Sequence, residues 1–175
     1  MTTGIALGAT AAAIALLLAT RAPKPPAHTS TQALVATRET GAAGQYQAAC
    51  GRGDSEACNA LGVLYRTGRE VPPDPFTAVA FFSNACGSGS ADGCNNLGVM
   101  HEQGAGVPRD LSAARNAYER ACDGGSGLGC SNLGALYHFG RGVAPDQEKA
   151  RTLFEQACSA GTEIGCENLE QRAAK

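Results

Sequence analysis

The chain is predicted to be all-α, an α-solenoid of antiparallel helix pairs wound into a right-handed superhelix, and three observations carry that prediction. Eight cysteines fall in two series, Cys50, Cys86, Cys122, Cys158 and Cys58, Cys94, Cys130, Cys166, each with a period of 36 residues and the two offset by eight. Other residues keep the same period at helical spacing. Ala42, Ala78, Ala114 and Ala150 are followed four residues on by Tyr46, Phe82, Tyr118 and Phe154, and three further on by Ala49, Ala85, Ala121 and Ala157. The third observation is composition: 43% of the 175 residues are hydrophobic but only 5% are aromatic, with no Trp and 23 Gly. A core built from Ala, Leu and Val suits closely packed helices, and the glycines lack the three-residue period of collagen.

The elements follow in order. Gly4 to Thr20 is an uncharged apolar run, short for a membrane span and within the range of a secretory leader, so residues 1–20 read as a signal peptide or signal anchor. Pro23 directly after Ala22 argues against cleavage there, which leaves an anchor open. Residues 21–37, with Pro23, Pro25, Pro26 and several Thr, read as an extended linker. Residues 38–173 form the repeat domain: an opening helix over 38–50, repeats at about 54–86, 90–122 and 126–158, and a closing helix over 162–173.

Each repeat holds two helices, A then B. Helix A begins near the second cysteine of a pair and carries Leu61, Leu97, Leu133 and Leu169, then Gly62, Gly98 and Gly134, then Tyr65, His101 and Tyr137 one turn on. Glycine inside a helix costs about 1 kcal/mol against Ala, so its recurrence predicts that another helix approaches the backbone there. Gly68, Gly104 and Gly140 are placed to cap helix A, and Val71, Val107 and Val143 to plug the gap before helix B. Asp74, Asp110 and Asp146 stand as N-caps of helix B, which the opening copy lacks. Gly53, Gly89, Gly125 and Gly161 mark the turn to the next helix A, and Glu170 in the closing helix replaces the repeated Gly, as suits a cap facing water. Such pairs bury their apolar faces only by stacking on neighbours.

The unit typified by CNNLGVMHEQGAGVPRDLSAARNAYERAC resembles the Sel-one-like subclass of tetratricopeptide-type repeats over about residues 38–173. Its cysteine pairs are similar to those of the Helicobacter cysteine-rich proteins, in which a disulfide joins the end of one unit to the start of the next. The resemblance implies the bridges Cys50–Cys58, Cys86–Cys94, Cys122–Cys130 and Cys158–Cys166, each bracketing a seven-residue turn with Gly. Two other readings stand beside it. Thiolates converging in fours would bind zinc, although the spacing is not the C-x2-C knuckle. Reduced cysteines would serve as small apolar filling if the chain stayed in the cytosol.

The same resemblance implies penicillin binding or a weak β-lactamase activity, the alternative to a non-catalytic function. The motifs S-x-x-K, S-D-N and K-T-G are all absent, and His28, His101 and His138 are the only histidines. No catalytic residue, metal or cofactor is expected. His101 reads as a packed aromatic substitute and His138 as a solvated polar residue. The preferred reading is an exported scaffold that binds a protein or peptide in its concave groove, where A helices present Asn59, Asn95 and Ser131 beside Asn96 and Asn132. Asn can hydrogen-bond an extended backbone through donor and acceptor alike. It can equally bridge helices within the stack. Arg66 and His138, with Glu102 between them in register, differ from unit to unit and would supply selectivity.

The net charge is −2, from 14 Lys and Arg against 16 Asp and Glu; Arg21 and Lys24 precede the repeats, leaving 12 basic residues after residue 37. No basic patch is visible, so nucleic acid is excluded as a partner. Membrane contact is expected only through the N-terminal segment, and a monomer is the expected state. Arg21 and Lys24 favour a cytoplasmic downstream side. Eight paired thiols favour an oxidising one, and the expected location is therefore periplasmic or otherwise extracytoplasmic, secreted or anchored.

Overall fold

The computed structural model describes residues 41–173, with side chains described to residue 170. The expected signal segment, the linker, His28 and residues 38–40 of the opening helix lie outside the described residues. Eight helices follow one another within that span: α1 Ala42–Cys50, α2 Ser55–Thr67, α3 Pro75–Gly87, α4 Ala91–Gln103, α5 Leu111–Asp123, α6 Gly127–Phe139, α7 Gln147–Ser159 and α8 Glu163–Ala173. The even-numbered helices are the A helices and the odd-numbered ones the B helices. Each packs on its chain neighbours, and each A helix also touches the next A helix, as a solenoid requires. No described helix is long and apolar enough to cross a membrane.

Helix ends are written locally. Asp74 and Asp110 accept from two backbone N–H groups each, and Asp146 from the Lys149 N–H, which caps the B helices as the sequence predicts. The A helices have caps that the sequence reading missed: Asp54, Ser90 and Ser126 accept from Ala57, Gly93 and Gly129. Their signal was present as a Ser or Asp four residues before Cys58, Cys94 and Cys130. Helix A ends on Gly68, Gly104 or Gly140 with φ of 73°, 71° and 67°, a left-handed conformation open to Gly at little strain. The loop then returns so that Asp74, Asp110 and Asp146 donate their N–H to the carbonyls of Tyr65, His101 and Tyr137 at 2.8 to 3.0 Å.

The core forms between the two helices of a pair. Phe82, Tyr118 and Phe154 are buried, and their rings lie across Gly62, Gly98 and Gly134. A Cβ at those glycines would stand 2.6, 2.5 and 2.8 Å from the ring. What approaches the helix backbone is thus an aromatic side chain of helix B. Ala78, Ala85, Ala114, Ala121, Ala150 and Ala157 are fully buried around it, and their lack of bulk is what lets the helices close.

The ends of the array depart from the pattern. Tyr46, in register with three buried rings, is 38% exposed, because no A helix precedes α1 among the described residues. Of the loop valines Val71 is buried while Val107 and Val143 are only half-buried, so the plug is complete in the first unit alone. The opening helix has Gly41 at its N-cap and no side-chain cap there. Glu70, from the loop after α2, reaches back to accept the Ala43 N–H at 3.2 Å.

All eight cysteines are joined as Cys50–Cys58, Cys86–Cys94, Cys122–Cys130 and Cys158–Cys166, with Cα–Cα distances of 4.7, 4.4, 4.5 and 4.7 Å. No cysteine is free, which removes both the zinc and the reduced-filler readings. Each bridge ties the last turn of a B helix to the first turn of the next A helix. Closing so short a loop removes unfolded-state entropy worth about 2.5 kcal/mol.

Candidate functional site

The A helices form a row, and the face they turn away from the B helices follows from helical geometry. Gly62, Gly98 and Gly134 point at the buried rings, so positions roughly 120–160° round the helix point outward. In α2 these are Glu56, Ala60 and Thr67, in α4 Asp92, Asn96 and Gln103, and in α6 Leu128, Asn132 and Phe139, with half-buried Ala135 at the edge, while its counterparts Val63 and Val99 pack against the core. Leu128 is 44% exposed, Phe139 67%, and Ile164, the counterpart of Leu128 in α8, 51%. The row therefore changes along its length from carboxylates at Glu56 and Asp92 to exposed aliphatic and aromatic groups. The sequence reading missed Leu128, Phe139 and Ile164, although comparison of equivalent positions across repeats would have found them.

A polar ladder joins successive A helices beneath this face. Asn96 Nδ2 donates to Asn59 Oδ1 at 2.8 Å, Asn132 Nδ2 donates to Asn95 Oδ1 at 2.8 Å, and Asn168 Nδ2 donates to Ser131 Oγ at 3.4 Å. Asn95 is 6% exposed and Ser131 3%. The expectation that Asn95 and Ser131 face a groove is corrected: both are enclosed between units, where a polar group must find a partner. Asn59, Asn96 and Asn132 are half-buried and border the outward face.

The variable position behaves differently in each unit. Arg66 is exposed, with its guanidinium 6.0 Å from the centre of the Phe82 ring. Glu102, whose side chain is 17% exposed, accepts the Tyr118 hydroxyl at 2.8 Å and pairs with Arg141 from the loop after α6. Burial first, then this bond and the Glu102 charge, raises the Tyr118 hydroxyl well above its ordinary range. The Arg141 guanidinium also lies 5.7 Å from the Phe139 ring. His138 is half-buried rather than solvated: its Nδ1 donates to Gln147 Oε1 at 2.7 Å, and Gln147 Nε2 donates to the His138 carbonyl at 3.0 Å. His101 is packed, with Nδ1 buried and unpartnered, as befits an aromatic substitute.

Other surfaces hold less chemistry. An open cleft of about 580 Å³ runs beside Arg115, Tyr137, Val143 and Pro145. Lys149 sits near it with its ammonium 4.1 Å from the Tyr137 ring centre, donating to the Tyr137 hydroxyl at 2.7 Å. Among the described residues no three His, Cys, Asp or Glu side chains gather in a way that would hold a metal ion.

The Sel1 repeat family model matches residues 55–90, 91–126 and 127–162, which are the three A–B units. No curated protein matches the chain. Among solved structures it is 31% identical to a protective antigen present in uropathogenic Escherichia coli strains displaying an SLR fold, covering 71% of this chain and 27% of that one, with a TM-score of 0.66. It is 27% identical to a Sel1 repeat protein from Oxalobacter formigenes, over 76% of this chain and 54% of that chain, at a TM-score of 0.72. Helicobacter pylori cysteine rich protein B is 27% identical, with 75% of this chain and 99% of that chain covered, at a TM-score of 0.61. The first two chains are thus considerably longer, and this one spans about a quarter and a half of them.

Proposed function

Because the chain belongs to the Sel1 repeat family, we propose that it is an extracytoplasmic scaffold that holds a protein or peptide segment along its row of A helices. One observation carries this reading. The outward face of α6 combines exposed Leu128 and Phe139 with Asn132, whose Nδ2 is bound within the ladder while its carboxamide oxygen is left to accept from a partner backbone. Exposed large apolar groups beside a polar row are the kind of surface that a peptide partner covers. Asn96 repeats the ladder bond one unit earlier, flanked there by Asp92 and Gln103 instead of apolar groups.

Four disulfides require an oxidising surrounding. In the periplasmic reading residues 1–20 export or anchor the chain and residues 21–37 act as its tether. A photo-crosslinking residue placed at Leu128 or Ala135 in the native host should capture a defined partner that the same residue at Phe76, 73% exposed on a B helix, does not. Equal capture from both faces would remove the A-helix row as the binding surface. Nitrocefin hydrolysis by the disulfide-intact protein, well above background, would transfer the function to the β-lactamase class.

A further inference from the structure

Successive A helices repeat one polar arrangement along their outward face. Asn96 of α4, Asn132 of α6 and Asn168 of α8 are half-buried and stand in register, and each turns its Nδ2 inward, to Asn59 at 2.8 Å, Asn95 at 2.8 Å and Ser131 at 3.4 Å. With the donor engaged in the ladder, what each presents outward is the carboxamide oxygen, which only accepts. The row begins at α4, since α2 has Ala60 in this place. One turn toward the helix N-termini, on the same face, a second row holds Asp92, Leu128 and Ile164, all exposed. Asp92 accepts the Ser126 hydroxyl with one carboxylate oxygen at 3.0 Å and keeps the other for solvent or a partner.

The spacing of the acceptors selects what can meet them. Neighbouring A helices are in contact, so their axes stand about 8–10 Å apart and the acceptors recur at that interval. A β-strand turns the same edge outward every second residue, at about 6.6–6.8 Å, and misses the second acceptor. An α-helix binds its N–H groups internally and offers none beyond its first turn. A polyproline II segment has three residues per turn and a rise of about 3.1 Å, so equivalent N–H groups recur at about 9.3 Å and none is bound internally. It alone of the three matches the row in both interval and chemistry.

We propose that the A-helix row takes a polyproline II segment whose N–H groups recur at every third residue, one for each of Asn96, Asn132 and Asn168, with a cationic side chain beside Asp92 and apolar side chains beside Leu128 and Ile164. This rests on the reading of the row as a peptide-binding face and adds the conformation, register and charge of the peptide. Proline suits the positions between the donors, because it has no N–H to leave unpaired and its fixed φ pre-organises the segment.

The test uses the full chain in mild detergent, with its four bridges intact, and peptides bearing a C-terminal fluorophore read by anisotropy. Acetyl-Lys-Pro-Pro-Leu-Pro-Pro-Leu-Pro-Pro and its reversed order, acetyl-Leu-Pro-Pro-Leu-Pro-Pro-Lys-Pro-Pro, both place an N–H at every third residue. The better of the two should bind at least about 10-fold tighter than acetyl-Lys-Pro-Leu-Pro-Leu-Pro-Pro-Pro-Pro, which has the same composition with its N–H groups at every second residue. N-methylation of both leucines removes two donors and should weaken the better peptide about 10-fold. Asp92→Asn, which keeps the acceptor for Ser126, should weaken it about 2–5-fold and lessen its salt dependence. Equal affinity for the two registers, no effect of N-methylation, or no binding in either order would overturn the proposal. Partner capture from Leu128 in the host, found together with any of these, would leave the peptide-binding face standing and remove the polyproline II register alone.

Discussion

Replacing Gly98 by Ala sets two effects of opposite sign against each other. By helix propensity the change should stabilise α4 by about 1 kcal/mol. The added Cβ, however, would stand 2.5 and 2.6 Å from two carbons of the Tyr118 ring and 3.1 Å from a third. The ring has no room to retreat. Tyr118 is fully buried, its hydroxyl is held by Glu102, and Glu102 is held by Arg141 from the next unit. Overpacking a fixed core costs about 1–3 kcal/mol, and the upper end applies where the neighbour is anchored at both ends. The expected net is a loss of about 2 kcal/mol, read as a lower urea midpoint at unchanged slope with the disulfides intact. Gly87→Ala is the control: no atom lies within 4 Å of its Cβ and its backbone is not left-handed, so a gain of about 0.5–1 kcal/mol is expected. In a Tyr118→Leu background the Gly98→Ala penalty should shrink by at least about 1 kcal/mol. A Gly98→Ala protein as stable as the parent would refute the view that the ring, rather than chance, holds glycine at this position.

Removing one bridge through Cys86→Ser with Cys94→Ser should lower stability by about 2–3 kcal/mol while the array stays helical, as followed by circular dichroism during denaturation. Limited reduction followed by alkylation mapping should open Cys158–Cys166 before Cys86–Cys94, because both partners of the former are half-exposed and both of the latter are buried. Asn95→Ala strands the Asn132 Nδ2 donor between units and should cost about 1–3 kcal/mol, whereas an equal loss from Asn84→Ala on exposed α3 surface would show that the ladder has no special weight. The carboxyl of Asp74 is held below its ordinary 3.8 by the Thr77 hydroxyl and then the Thr77 N–H, and that of Asp110 by the Ser112 hydroxyl and then the Ala113 N–H. A folded value below the unfolded one means stabilisation that is complete above about pH 3.8 and lost as pH falls through the folded values. Asp74→Asn with Asp110→Asn should therefore flatten the acid limb of the stability curve.

Much of the fold was legible because a repeat states its local rules four times. The 36-residue period placed the helices, the glycine C-caps, the aspartate caps of the B helices and the fully buried alanines, all of which depend on spacings within one unit. The pairing of the cysteines followed the same local logic, since their Cα atoms come within 4.4 to 4.7 Å across a single turn. The contacts that only the tertiary structure decided run between units or end at the array's edges. Asn95 and Ser131 were expected in a groove and are enclosed, because the donors that reach them lie 37 residues on, one beyond the repeat period. Glu70 caps α1 across 27 residues, Arg141 meets Glu102 across 39, and Tyr46 is exposed where no A helix precedes α1 among the described residues. Periodicity in a sequence says which residues are equivalent within their own helix pair. Which of them oppose one another across a junction depends on the rotation and offset of one pair on the next, which are set by the packing of whole faces and appear in no single spacing along the chain.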